Sequence, residues 1–243
     1  MIRKSVPSMF TVGNLLLGMF SILLVFNEQP DLAAILVIVA MLCDGLDGRV
    51  ARALDAQSEF GKQLDSLSDI ISFGVAPAFI MYVSGFASYN LPVTWIVTAI
   101  FPICGALRLA RFNMTSGIPG YFVGLPIPAA GGVLCTLALF AEDLSPVILA
   151  LSMLLLSYLM ISTVKYPNFK KIGIPRTAVW LTPIVVVVAV VLAVAFPGTL
   201  SKLLFLPLFL YALYGFNRTF NRLQRFREWK ALRENVLKKK NDL

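Results

Sequence analysis

Long apolar runs recur along almost the whole chain, and each has about the length that crosses a lipid bilayer. A transmembrane helix needs about 20 residues, and its backbone polar groups must be paired within the segment because lipid offers no partners. Only 14% of the residues are charged, whereas soluble domains contain roughly a quarter. The sequence therefore predicts an all-α, polytopic membrane helix bundle that forms one domain over residues 1–243.

The apolar runs predict about eight transmembrane helices. Their approximate ranges are 9–26, 32–51, 66–84, 93–112, 123–141, 146–164, 177–196 and 200–216. Cys43, Cys104 and Cys135 all fall inside these spans, where we expect buried small apolar residues rather than disulfides or metal ligands.

The basic residues mark one side of the predicted membrane. All 21 Lys and Arg residues except Lys202 fall on one set of alternate loops and on the tail. The opposite loops carry Glu28, Asp31, Glu142 and Asp143. Because cytoplasmic loops carry an excess of Lys and Arg, both termini are predicted to be cytoplasmic. The net charge of +8 is thus assigned to membrane orientation, and no nucleic-acid partner is expected.

The basic tail over residues 217–243 allows two interpretations. Its apolar side chains are interspersed among cations, a pattern that fits an interfacial helix lying on anionic membrane lipids. A solvated helix is the alternative.

Four aspartates interrupt the apolar pattern at the end of the second span and the start of the third. An ionisable group at membrane depth is costly and marks a functional site by default. With about 100° per residue, Asp44 and Asp47 share one face of the second helix, and Asp65 and Asp69 share one face of the third. Two helices in hairpin order can bring these faces together, and the positive-inside rule places them on the cytoplasmic side.

Converging carboxylates in a low dielectric repel one another unless cations neutralise them. The chain has no His, which disfavours zinc and leaves oxygen-ligand ions, one or two of Mg²⁺ or Mn²⁺. Two such ions are the usual clamp for displacement at phosphorus. Plain helix packing of Gly-x-x-Gly and simple hydration of the acids are the structural alternatives.

The small residues beside the acids fit a phosphate-bearing ligand. Gly45, Gly48 and Gly61 each cost roughly 1 kcal/mol in a helix interior relative to Ala, and they would let a bulky group approach the backbone. Arg52 shares the face of the aspartates and is predicted to pair with a phosphate oxygen.

The pattern Asp44-x-x-Asp47-Gly48-x-x-Ala51-Arg52, then eight residues, then Gly61-x-x-x-Asp65-x-x-x-Asp69, resembles the signature of the CDP-alcohol phosphotransferases at every position. This resemblance implies transfer of a phosphatidyl-type group from a CDP-linked lipid to an alcohol, with release of CMP. The implied roles are as follows: Asp44, Asp47 and Asp65 hold the metals, Asp69 helps and acts as the base, and Gly48, Ala51, Arg52 and Gly61 shape the CDP pocket. Thr11 is similar to a Thr that approaches the nucleotide, although Ser8 replaces the Asn often found before it.

Within that family the chain is most similar to the integral-membrane phosphatidylserine synthases. The segments that carry this similarity are 65–77, 107–113 and 124–129. It implies CDP-diacylglycerol and L-serine as substrates and a homodimer. Together with the distribution of Lys and Arg, it predicts a site that faces the cytoplasm from the cell membrane. The resemblance covers a core of about residues 5–165, and the additional spans over 177–216 carry no recognisable motif.

A serine pocket is expected at the end of the fourth span. Serine brings a carboxylate, which needs a cation that phosphate does not already occupy. Arg108 and Arg111 end that span at the depth of the aspartates, with Asn113 and Tyr121 as nearby donors. Ordinary anchoring of arginines at a helix end is the alternative.

Three other functions stay open. The same site could use another alcohol, such as glycerol 3-phosphate or an inositol phosphate. An archaeal ether lipid could replace diacylglycerol in the donor. More remotely, buried aspartates also occur in cation transporters, but those carry polar groups on several spans, and the acids here lie near one side.

Overall fold

The computed structural model describes residues 2–53, 58–89, 92–114 and 121–167 of the chain. The predicted spans over 177–196 and 200–216 and the basic tail lie outside these residues. The helices are α1 (Ile2–Phe26), α2 (Pro30–Ala53), α3 (Glu59–Asp69), α4 (Ala76–Met81), α5 (Pro92–Met114), α6 (Ile127–Ala138) and α7 (Pro146–Ile161). The described part also contains two π-helical segments, Ile70–Val75 and Tyr82–Phe86, and a 3₁₀-helix, Ala87–Tyr89. Its two strands are β1 (Tyr121–Val123) and β2 (Lys165–Pro167).

The described part of the chain is mostly helical, and several of its helices are strongly apolar. Three stretches are long and apolar enough to cross a membrane, namely Ser8–Phe26, Glu59–Tyr89 and Pro92–Met114. Three shorter apolar helices accompany them, Pro30–Met41, Ile127–Ala138 and Pro146–Ile161. Each of the first six predicted spans therefore contains a helix.

The third predicted span is the middle of one continuous helical stretch from α3 to Tyr89. Ser58 caps its start, because the Ser58 hydroxyl accepts a hydrogen bond from the Gly61 amide at 3.0 Å. Directly after Asp69 the helix widens into a π-helical segment, Ile70–Val75. At its end the Ala76 amide N–H donates a hydrogen bond to the Ile71 carbonyl, five residues back. Pro77 follows, and it has no N–H to continue a regular α-helical ladder. Such π segments often occur at functional sites.

One small two-stranded sheet accompanies the predicted helices. Strands β1 and β2 pair antiparallel, with Phe122 opposite Tyr166. The predicted fifth span begins at residue 123, but α6 begins only at Ile127. Gly124 explains the late start, since its φ of 81° is incompatible with a right-handed helix. The Gly124 amide instead donates to the Val164 carbonyl at 2.7 Å.

Glycines bring the central helix close to its neighbours. A Cβ added to Gly18 of α1 would meet both the backbone and the hydroxyl of Ser72. A Cβ on Gly131 of α6 would lie 2.5 Å from the Phe73 carbonyl oxygen. Small residues at helix contacts are characteristic of membrane bundles, where close backbone approach replaces hydrophobic driving force. The segment after Asp69 is thus packed closely between α1 and α6.

Candidate metal centre

Three of the four predicted aspartates meet in space. Asp44 comes from α2, and Asp65 and Asp69 come from α3. One carboxylate oxygen from each lies within 4.8 Å of the others. Asp69 is buried, and the other two are half-buried. For Asp47 the structure describes the backbone, within α2, and its side chain lies outside the described part.

The three carboxylates fit a hard divalent cation. Mg²⁺ prefers oxygen ligands at 2.0–2.1 Å, so two oxygens on one ion are at most about 4 Å apart. Separations of up to 4.8 Å therefore require only small side-chain movements around a shared ion. Three acids held together in an apolar bundle also need positive charge to relieve their repulsion. The donor set, made of carboxylate oxygens, is one that suits Mg²⁺ or Mn²⁺.

Helix α1 forms the wall behind these acids. The Ser68 hydroxyl donates to the Thr11 carbonyl at 3.1 Å, and the Ser72 hydroxyl donates to the Asn14 carbonyl at 2.9 Å. Thr11, predicted to approach the nucleotide, is buried at this wall. These bonds fix the rotation and height of α1 relative to the helix that carries Asp65 and Asp69.

Sequence reasoning missed one residue of this wall, Asn14. It is fully buried, and its side-chain Nδ2 donates to Asp69 Oδ1 at 3.5 Å. The signal was present in the sequence, because Asn14 lies one helical turn beyond Thr11 and so shares its face. A buried amide needs polar partners, and the Asp69 carboxylate supplies one.

Open space lies beside the aspartates on α2. A Cβ added to Gly45 would meet nothing within 4 Å among the described residues, and Gly45 is exposed. Gly61 lies in the first turn of α3, where a Cβ would lie 3.1 Å from the Ser58 hydroxyl. For Gly48, Ala51 and Arg52 the structure describes only the backbone of α2.

Helix α5 runs antiparallel along the helix that carries the site. Asn113 Nδ2 donates to the Ser66 hydroxyl at 2.9 Å near the end of α5. Farther along, a Cβ on Gly74 would lie 3.5 Å from Pro102. Asp69 and Arg108 both lie between these two contacts, so they lie at similar heights in the bundle. Arg108 is buried, with its guanidinium carbon 5.8 Å from the centroid of the Phe112 ring.

Arg111, in contrast, faces the end of α7. Its Nη1 donates to the Ile161 carbonyl at 2.7 Å. Its Nη2 lies 3.2–3.3 Å from three further carbonyls, those of Val123, Met160 and Ser162. The last carbonyls of a helix have no partner within the helix, and Arg111 supplies one. Tyr121 begins β1, and its side chain lies outside the described part.

The comparisons with known proteins agree with this geometry. The chain matches the CDP-alcohol phosphatidyltransferase family over residues 4–196. It is 39% identical over 222 residues to a CDP-diacylglycerol–serine O-phosphatidyltransferase of Helicobacter pylori, covering 87% of this chain and 90% of the relative. The enzyme with that name in Bacillus subtilis is 39% identical over 167 residues, 68% of this chain and 92% of the relative. An archaetidylserine synthase of Methanothermobacter thermautotrophicus is 40% identical over 176 residues, 70% of this chain and 72% of the relative.

Proposed function

This chain belongs to the CDP-alcohol phosphatidyltransferase family, and we propose that it transfers the phosphatidyl group of CDP-diacylglycerol to the hydroxyl of L-serine. The products are phosphatidylserine and CMP. The observation that carries the proposal is the convergence of Asp44, Asp65 and Asp69, with carboxylate oxygens within 4.8 Å, in a chain that matches this family. The names of the relatives from H. pylori and B. subtilis support the serine acceptor.

The aspartates would hold one or two divalent ions, Mg²⁺ or Mn²⁺, and we include Asp47 with the three described acids. Such ions supply positive charge that stabilises the pyrophosphate and the leaving phosphate. Gly45, Gly48, Ala51 and Gly61 leave the backbone accessible to the CDP group, and Thr11 and Arg52 line the same pocket. The open space beside Gly45 supports this assignment.

Asp69 is the proposed base. It accepts the proton of the serine hydroxyl, and the serine oxygen forms a new bond to the lipid-side phosphorus. The bond from that phosphorus to the bridging oxygen breaks, and its electron pair leaves with CMP. Burial among α1 and α3 holds Asp69 in place and excludes competing water. Arg52 pairs with the phosphate oxygens as charge develops on the leaving group.

Arg108 is the better of the two candidate arginines for the serine carboxylate. Arg108 lies at the height of Asp69, whereas the terminal nitrogens of Arg111 are engaged with main-chain carbonyls. Asn113 and Tyr121 remain proposed donors at the mouth of the pocket. Asn113 fits because its side chain already contacts Ser66, the neighbour of Asp65.

The proposed enzyme lies in the cell membrane with its site facing the cytoplasm, as the distribution of Lys and Arg indicates. CDP-diacylglycerol then reaches the aspartates from the cytoplasmic leaflet, and L-serine and CMP exchange with the cytosol. Eight spans and two cytoplasmic termini fit this topology. We also propose a homodimer, from the family resemblance alone.

A second candidate keeps serine and changes the donor lipid. One relative is named archaetidylserine synthase. Its name indicates serine as the acceptor and an archaeal lipid in the donor. The chemistry at phosphorus is the same for both donors, so the aspartate cluster fits each of them. The tail-binding surface, not the metal centre, distinguishes the two.

The decisive assay offers purified protein a panel of alcohols with labelled CDP-diacylglycerol or its archaeal ether-lipid counterpart. We expect CMP release and labelled lipid with L-serine, in the presence of Mg²⁺ or Mn²⁺, and neither with Asp69→Asn. Glycerol 3-phosphate as the preferred acceptor would contradict the serine assignment. Metal flux into liposomes without any CDP-lipid would instead support a transporter.

A further inference from the structure

Helix α1 presents a buried polar stripe to the catalytic helix. Thr11, Asn14, Gly18 and Ser21 recur at intervals of three and four residues and are all buried. Helix packing explains most of this stripe. Main-chain carbonyls of α1 accept hydrogen bonds from the hydroxyls of Ser68 and Ser72 on the facing helix, and Gly18 packs against Ser72. The Asn14 side chain is different, since it contacts a proposed catalytic carboxylate.

The Asn14 amide is only half satisfied. Its nitrogen donates to Asp69 Oδ1 at 3.5 Å, but its oxygen has no hydrogen-bond partner among the described residues, although the side chain is fully buried. Burying an amide oxygen without a hydrogen-bond partner is unfavourable, because the oxygen loses its bonds to water. Oδ1 and Nδ2 of Asn14 are bonded to the same carbon, so the unsatisfied oxygen lies close to the Asp69 carboxylate that the nitrogen contacts. A ligand that donates a hydrogen bond there would remove this cost.

We propose that Asn14 is a positioning residue of the transfer reaction that also binds the acceptor. Its nitrogen holds the Asp69 carboxylate, and its oxygen accepts a hydrogen bond from the ammonium or hydroxyl of the acceptor alcohol. The inference rests on the proposed function, because it needs the acceptor to approach Asp69. It extends that function by adding a first-helix residue to the acceptor side of the site.

The test compares Asn14→Leu, which keeps the branched shape of the side chain without the amide, with Ser21→Ala as a matched control. Ser21 is a fully buried polar residue on the same face of α1, and its hydroxyl donates to the Ala33 carbonyl at 2.9 Å, away from the aspartates. We expect Asn14→Leu to lower kcat/KM for serine by about 10-fold to 100-fold, the effect of one hydrogen bond to a charged group. KM for the CDP-lipid should change by less than about twofold, because the substitution leaves the contacts of that substrate unchanged. Ser21→Ala should leave both unchanged.

A second measurement separates this role from simple loss of structure. CMP raises the thermal-unfolding temperature of a protein that binds it, and this protection should be equal in wild type, Asn14→Leu and Ser21→Ala. If the leucine variant does not fold, Asn14→Ser replaces it, because serine is too short to reach Asp69.

Serine kinetics of the Asn14 variant equal to those of Ser21→Ala would overturn the proposal. So would loss of CMP protection together with a raised KM for the CDP-lipid, since that pattern places Asn14 at the nucleotide. If wild type prefers another alcohol, the proposed acceptor is wrong. The same comparison is then made with that alcohol, so the two failures are distinguishable.

Discussion

Replacement of Arg111 should destabilise the protein without removing the serine site. Arg111 lies one turn beyond Arg108 on α5, but its guanidinium is bound to the end of α7 and to β1. In Arg111→Met the alkyl stem remains, and the carbonyls of Ile161 and Ser162 lose a charged donor. The variant therefore tests whether this arginine is a clamp between α5, α7 and the sheet or a ligand of serine.

The contacts set the size of the effect. The 2.7 Å bond from Nη1 to the Ile161 carbonyl is one strong bond, and the three contacts of Nη2 at 3.2–3.3 Å share a second nitrogen. Hydrogen bonds to a charged group contribute about 1.5–3 kcal/mol each. Arg111 is half-buried, and water will partly replace it, so we expect a loss of about 2–3 kcal/mol. For a chain of this size that corresponds to roughly 4–12 °C in apparent melting temperature.

The assay is thermal unfolding in detergent micelles, followed by serine kinetics at a temperature where every variant is folded. Arg111→Lys should recover part of the stability, because an ammonium satisfies one carbonyl but lacks the planar fork. Gly124→Ala should disturb the same contacts of Arg111, since the alanine Cβ would meet the Met160 carbonyl and lie 2.8 Å from Arg111 Nη2. Arg108→Lys is the matched comparison and should raise KM for serine.

Full stability of Arg111→Met combined with a large rise in KM for serine would refute this reasoning. It would return Arg111 to the acceptor pocket as the sequence alone predicts. A fall in stability with unchanged KM for serine is the expected result.

Two further outcomes follow from the bundle. Asp44→Asn should weaken Mn²⁺ binding at least about tenfold, because one of three converging carboxylates loses its charge. Electron paramagnetic resonance of the purified protein measures this binding. Binding equal to wild type would contradict the metal centre. Gly18→Val should lower the apparent melting temperature by several degrees, because the valine side chain would collide with Ser72. Such overpacking costs about 1–3 kcal/mol. Gly13→Val is the control and should have little effect, since a Cβ at Gly13 meets nothing within 4 Å among the described residues.

The aspartate site was predictable because helical periodicity is a local property. Asp65 and Asp69 are four residues apart on a regular stretch of α3, so their shared face follows from the sequence alone. The partner face on α2 follows from hairpin order. The structure confirms the meeting of Asp44 with these two acids.

The features that the sequence did not predict depend on contacts between distant segments. Strands β1 and β2 are three residues long, and their pairing joins segments separated by two helices. No short pattern in Tyr121–Val123 indicates that partner. Arg111 likewise looks like any arginine at a helix end until the position of α7 is known. Such roles are fixed by tertiary neighbours rather than by period or propensity.

The helix that carries Asp65 and Asp69 is held differently by each of its neighbours, and the differences bear on mechanism. Two of the hydrogen bonds to helix α1 end on main-chain carbonyls, those of Thr11 and Asn14, which no substitution of those side chains removes. Helix α5 is joined near Asp65 through a side chain, from Asn113 to Ser66. The contact to α2 described at the site is between like-charged carboxylates, which repel until a cation binds. We therefore expect the α2–α3 junction to gain the most rigidity when the metal binds, while the α1 wall is already set before any substrate arrives.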